Sequence, residues 1–239
     1  MENKIWFKIL IDGRSRHGSK MAWNLPTQNA SGKWTPGDWH EIPAKHKLKI
    51  CKVGFHLTNA PAAWWSRPAT IFVAEYEGEA TEPIEDKIAV RKCRLLRVAG
   101  QQELADAGLL YDNSQATLYG NSEATLYDNS QATLTDNSQA MLYDNSQAML
   151  YGNSQARLYD NCQVRLYDNC QATLTDNSQA RLYNNSQATL TDNSQATLYN
   201  NSQATLTDNS QATLTDNSQA RLTDNSQARL YNNSQATLT

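Results

Sequence analysis

From Asp112 onward, polar and apolar positions fall on a fixed frame of eight. Residues 112–239 are one octapeptide, Asp-Asn-Ser-Gln-Ala-Thr-Leu-Tyr, written sixteen times. The second position is always Asn and the seventh always Leu. The third is Ser except at Cys162 and Cys170, the fourth Gln except at Glu123, and the fifth Ala except at Val164. Variation gathers at the first position (Asp, Gly or Asn), the sixth (Thr, Met or Arg) and the eighth (Tyr or Thr). Positions three, five and seven are small or apolar and alternate with four, six and eight. That period of two predicts a strand with Ser, Ala and Leu turned inward. The first position holds only residues that tolerate left-handed backbone, so it reads as a turn. Leu every eight residues would drift around a helix, and the Asp-Asn-Ser cluster disfavours helix interiors. Disorder is the alternative for so polar a tract, but a solvated chain has no reason to hold Leu at one phase.

One octad is too short to close a coil, and two suffice. In odd-numbered octads the first residue is Asp every time: Asp112, Asp128, Asp144, Asp160, Asp176, Asp192, Asp208 and Asp224. In even octads it varies, and there the eighth position changes from Tyr to Thr after Tyr159. A two-octad period explains both, whereas a three-octad coil does not. The expected fold is therefore mainly β: a two-sided β-solenoid with 16 residues per coil and about eight coils. At ~4.8 Å per coil it is roughly 38 Å long. Stacked Leu supplies the main hydrophobic term, ~1.5–3 kcal/mol per buried side chain. The invariant Asn is expected to form a buried amide ladder. Cys162 and Cys170 should lie at opposite edges as free buried thiols, beyond the ~7 Å reach of a disulfide.

Residues 1–111 follow no such frame. Apolar runs predict strands over 5–11, 47–57, 69–77 and 86–98, with a short helix over 59–66. Residues 12–46, rich in Gly, Pro, Ser and Trp, read as ordered loops. The expected organisation is a small α+β domain over 1–100, a connector or N-terminal cap over 101–111, and the solenoid over 112–239. In the cap, 101–110 reads as a short amphipathic helix or an atypical first coil.

Composition sharpens this division. All six Trp, all six Pro, all four His and every Lys precede residue 112. Residues 1–111 carry 16 Lys and Arg against 12 Asp and Glu, a net +4. The repeats carry 5 Arg against 12 Asp and Glu, a net −7, and the two sum to the chain's −3. The asymmetry could orient a partner or draw the two halves together. The start lacks a signal peptide's long apolar region, and no stretch reaches the ~18–20 apolar residues of a membrane span. Four Cys without a CxxC pair fit a reducing, cytoplasmic setting, and no membrane association is expected.

The run GKWTPGDWHEIP, followed by CKVGFHLT, AAWW, IFVAEYEGEA and DKIAVRKCRLLR, resembles a small uncharacterised domain found at the front of bacterial and phage proteins. The octads resemble the YGNA-type octapeptide β-solenoid arrays that sometimes follow it. The resemblance implies a phage or mobile-element setting and brings no activity or catalytic residues. The Asp-rich turns and sixth-position Arg depart from the plainer arrays, so surface chemistry does not carry over.

Candidate binding residues on the repeats are the eight odd-octad Asp and the eighth-position Tyr151, Tyr167, Tyr183 and Tyr199. In the first half, Arg14, Arg16 and His17 lie in a basic loop suited to an anion or to the acidic repeats. Trp34, Trp39, Trp64 and Trp65 could line a groove or fill the core. His56 near Cys51 is the one pairing that raises nucleophilic catalysis, and no GxSxG, Walker or HExxH signature supports it. No zinc spacing is present, calcium rolls need Gly-rich nonapeptides that are absent, and no metal or cofactor is expected. The Thr-x-Thr pairs on the even side (Thr173 with Thr175, for example) resemble an ice-binding face, interrupted by Arg157, Arg221 and Tyr. The expectation is a non-enzymatic, self-associating scaffold that binds a protein partner, with direct nucleic-acid binding not expected. The chain stops on a complete octad without a polar cap, so either rods meet end to end or the chain is truncated; self-association through that end is the expectation. Alternatives are an acidic nucleic-acid mimic, an enzyme with chemistry in 12–66, and ice binding.

Overall fold

The computed structural model describes residues 4–15 and 21–239. Its contacts divide the chain into two compact units, 1–107 and 108–239.

The first unit is built on antiparallel pairing. Its strands are β1 (Trp6–Ile11), β2 (Arg14–Ser15), β3 (Thr27–Gln28), β4 (Trp34–Thr35), β5 (His40–Glu41), β6 (Phe55–Thr58), β7 (Thr70–Ala80) and β8 (Lys87–Val98). Strand β1 pairs with β7, β7 with β8, β8 with β6, and β6 with β1 through Phe7 and Thr58. The pairings thus close into a ring, which removes most of the free edges an open sheet would expose. Leu10, Trp23, Phe72, Val90 and Leu95 pack among the buried residues of this unit. Among the described residues the α content is one short helix, α1 (Gln101–Asp106), with Glu103 accepting from the Gly100 N–H at its start. The expected strand over 47–57 begins only at Phe55. Lys49 and Val53 bridge across a tight turn in which Cys51 sits at φ 63°. The expected helix over 59–66 shortens to a 3₁₀ turn, Pro61–Ala63.

The second unit is the two-sided solenoid. It starts with β9 (Leu109–Leu110), which pairs with Thr125–Leu126. Each octad then contributes one four-residue strand, from Gln115–Leu118 to Gln235–Leu238. Odd-octad strands form one parallel sheet of eight. Even-octad strands, with β9, form another of nine. Partners lie 16 residues apart without slippage, as in Gln163 with Gln179 and Leu166 with Leu182. Ser, Ala and Leu are buried and Gln is exposed, and Leu is fully buried in every coil from Leu126 to Leu214. Cys162 and Cys170 are buried and free.

The turns explain the invariant Asn, though not by the expected ladder. All sixteen first-position residues have positive φ, and so do fourteen of the sixteen second-position Asn; Asn121 and Asn225 are the exceptions. Two consecutive left-handed residues reverse the chain as in a type I′ turn, and Asp-Asn suits that backbone. The second-position Asn side chains are exposed rather than buried. Their backbone N–H donates to the next coil, as Asn113 does to the Asp128 carbonyl at 3.1 Å. An amide ladder does exist, one position earlier and on the even turns: Asn200 Nδ2 donates to Asn184 Oδ1, and Asn184 Nδ2 to Asp168 Oδ1 at 3.0 Å.

The two edges also close differently. In odd turns the Ser backbone N–H reaches back to the eighth-position carbonyl, as Ser194 does to Thr191 at 3.2 Å. In even turns from Ser122 to Ser218 the Ser hydroxyl makes that bond, as Ser202 Oγ does to the Tyr199 carbonyl at 2.7 Å, while the last even turn closes through the Ser234 backbone N–H. The odd-turn hydroxyls of Ser130, Ser146, Ser178, Ser194 and Ser210 are consequently buried without a hydrogen-bond partner among the described residues. Cys162 occupies one place in that column, and Cys170 lies among the even turns, with its thiol 2.9 Å from the Tyr167 carbonyl.

Two outcomes follow for thermal unfolding read by far-UV circular dichroism. Ser202→Ala loses a buried hydrogen bond and should cost about 1 kcal/mol, whereas Ser194→Ala removes an unpaired hydroxyl and should be neutral or stabilising by about 1 kcal/mol. Asn177, at φ 64°, should tolerate Gly, while Asn177→Val should cost at least 1–2 kcal/mol as a β-branched residue forced left-handed.

Candidate functional site

Because every coil repeats the last, each outward octad position becomes a straight column. Two columns carry the chemistry, and they lie on opposite edges. The eight odd-octad Asp form one edge, preceded in sequence by Tyr127, Tyr143 and Tyr159 and then by Thr175 to Thr223. Most of these carboxylates are exposed. The three tyrosines stack with ring centroids 5.0 Å apart.

Tyr151, Tyr167, Tyr183 and Tyr199 form one continuous stack on the other edge, with centroids 4.8–4.9 Å apart and planes within 7° of parallel. That spacing is the interstrand distance, so the ladder follows from the fold and adds ~1 kcal/mol per pair. The stacked faces cover one another and leave ring edges and hydroxyls outward. The candidate repeat residues therefore form two surfaces: the structure gathers the four Tyr together and the eight Asp together, but not the one set with the other.

Sequence reasoning missed the arginines beside the Tyr stack. Arg165 and Arg181 are paired neighbours on the odd sheet and both are exposed. They lie close enough to Tyr167 to favour its phenolate, while burial first, and then Tyr151 and Tyr183, push its pKa up. Their shared odd-octad, sixth-position place was the signal: the two-octad period puts them in adjacent coils of one face.

On the even side, the hydroxyls of Thr175, Thr191, Thr207 and Thr223 donate to Leu carbonyls of the preceding coil at 3.2–3.3 Å. Half of each Thr-x-Thr pair is thus bonded to the backbone, where an ice-binding face would turn both hydroxyls outward.

In the first unit the candidate groove residues are dispersed in their roles. Trp39 lies under the Lys92 ammonium and the Arg94 guanidinium, each 4.6 Å from its ring. Trp64 donates to Asp86 and carries Lys87 over its face at 3.1 Å. Trp65 donates to the Ala69 carbonyl at 3.0 Å, Trp34 pairs β4 with β3, and Arg14 is an exposed β2 residue. Arg16 and His17 lie outside the described residues. His56 meets Cys51 through the backbone: its Nε2 accepts from the Cys51 N–H at 2.8 Å. Burial lowers its pKa, with Lys8 adding to the effect. The ring is thus held as a neutral staple across the Lys49–Val53 turn, and the Cys51 thiol takes no part in the contact.

The functional-type group that sequence reasoning overlooked here is Lys8. It is buried on β1, donates to the His56 carbonyl at 3.1 Å, and lies 4.9 Å from the Trp23 ring. Burial lowers its pKa to about 8. The same surroundings push the Cys93 thiol up to about 12. No group of three His, Cys, Asp or Glu among the described residues could hold a metal ion. No helix among them is long and apolar enough to cross a membrane. No protein-family model matches the chain, nor does any curated protein or solved structure.

Lys8 predicts a pH dependence. Its folded pKa lies below the unfolded one, so between them the unfolded state binds more protons and stability rises with pH. The penalty of a charged Lys8 is fully present below about pH 8 and is relieved as pH climbs toward 10.5. Above about 9 the Cys93 shift acts in the opposite sense, because the unfolded thiol ionises first. Between pH 8 and 9 the unfolding midpoint of the full chain, read by Trp fluorescence, should therefore rise, and Lys8→Met should flatten that rise.

Proposed function

We propose that the protein is a non-enzymatic scaffold whose solenoid presents a periodic acidic edge to a basic protein partner. One observation carries the reading: the strict 16-residue register turns eight separate Asp residues into one straight column. A rigid row of like charges at a fixed pitch costs little in water, where each repulsion is a fraction of a kcal/mol. It offers complementary cations a template that is already ordered, so binding loses little conformational entropy. The first-position residues differ between edges although both edges hold that position at positive φ. The even edge accepts Gly120, Asn184 and Asn200 where the odd edge keeps Asp, so backbone needs alone do not account for the acid. The role of His56 as a backbone staple supports a binding reading over an enzymatic one. The order of the N-terminal motifs is the support for a phage or mobile-element setting.

The test uses substitutions that the fold already accommodates. Asp160→Asn, Asp176→Asn and Asp192→Asn together keep residues found at the same turn position on the other edge. Titration calorimetry with polylysine at about 50 mM salt should show the triple variant binding roughly tenfold more weakly than the wild type, with an unchanged melting temperature. Equal affinity for the two proteins would overturn the acidic-edge reading.

A further inference from the structure

The odd sheet holds a charge arrangement that the rod itself does not compensate. Arg165 and Arg181 are direct neighbours in adjacent parallel strands. Like charges placed opposite one another in a sheet repel. Both side chains are exposed, and neither forms an ion pair or hydrogen bond among the described residues. Gln163 and Gln179 flank them on one side and Tyr167 and Tyr183 on the other. The face is thus a short comb of guanidinium, amide and phenol donors repeating once per coil.

An anionic partner suited to this comb needs carboxylates at the same pitch. The acidic edge of another copy has them by construction. Asp160, Asp176, Asp192 and Asp208 each advance by one coil, and one interstrand spacing sets both columns. Two rods laid side by side therefore meet without accumulating mismatch, one carboxylate per guanidinium, with Tyr hydroxyls as further donors. The chain's net −3 disfavours a nucleic acid as occupant, because its phosphates would also face the −7 of the repeats.

We propose that the Arg165–Arg181 face with its tyrosine ladder docks the Asp edge of a second copy of this chain, associating solenoids laterally. The proposal rests on the acidic edge being a protein-binding edge and names its partner. The contact joins one surface to a different surface, so it is heterologous and extends into open lateral series. Exposed ion pairs dominate it, so it is weak and salt-sensitive.

The test is a change of surface charge in the full chain, with mass read by sedimentation across protein concentration. One variant carries Asp160→Asn, Asp176→Asn and Asp192→Asn; the other carries Arg165→Asp and Arg181→Asp. Wild type should associate at about 50 mM salt and dissociate at about 0.5 M. Each variant alone should associate about tenfold more weakly, because each lacks one of the two complementary charges. An equimolar mixture should regain association, because the intact Asp edge of the second variant complements the intact Arg face of the first. Unchanged circular dichroism establishes that both variants fold. A wild type that stays monomeric at low salt, or a mixture no better than its components, overturns the proposal. Asp-dependent polylysine binding in that case leaves the acidic-edge reading standing. Uptake of a single-stranded DNA probe that depends on Arg165 and Arg181, without self-association, would assign the face to a different partner and overturn the proposal as well.

Discussion

Two consecutive left-handed residues at every turn are the constraint on which the solenoid depends. They reverse the chain within two positions, so an octad can spend four residues on a strand and still return. They also turn the second-position N–H toward the next coil, where it finds a carbonyl. Coil-to-coil hydrogen bonding therefore runs through the corners as well as the sheets, which gives turn backbone groups partners that an isolated coil would lack. A residue that resists positive φ there would break a corner and one rung of the stack together.

That constraint also explains what was legible in the sequence. The strand, its inward face and the two-octad coil follow from period and parity alone, because sixteen copies reveal which positions vary. The role of Asn was misread for an instructive reason. Invariance at the second position looks like burial, yet the side chain is exposed and the backbone conformation is what is fixed. The difference between odd and even Ser was illegible, since both read as the same inward residue. Which group closes a turn depends on small differences between the two corners that no residue identity encodes. In the first unit the long strands were legible from their apolar runs. The closure of β1, β7, β8 and β6 into a ring was not, because such pairings join residues far apart in sequence and leave no local periodic signal.

The candidate site divides along the same lines. The Asp column and the Tyr stack were each readable as columns once the coil length was known. Their assignment to opposite edges needed only the observation that odd first positions follow even eighth positions. Arg165 and Arg181 were harder, because five sixth-position Arg are scattered through the repeats and only parity shows that three share the odd face, these two in adjacent coils. Lys8 could not be found at all: a lone Lys in the apolar run of residues 5–11 reads as the solvent-facing position of its strand. It is buried here because the ring of strands and the Trp23 side chain cover it, and the His56 carbonyl gives its ammonium an acceptor.

A repeat of this kind separates stability from surface chemistry more cleanly than an ordinary domain. The buried Ser, Ala and Leu tolerate little change, since each is stacked on its own copy above and below. A poor fit in one coil is felt by two others. The first, sixth and eighth positions face outward, and their exchange among Asp, Asn and Gly, among Thr, Met and Arg, or between Tyr and Thr alters a column without disturbing the coil. Sequence variation there is therefore free to record what the surface meets. The uninterrupted Asp column stands out against this background because the other edge, with the same need for positive φ, carries acid only at Asp136, Asp168 and Asp216. The turn needs a residue that tolerates positive φ, a need that both Asn and Gly satisfy on the other edge, so the backbone alone does not account for an unbroken carboxylate column on one edge.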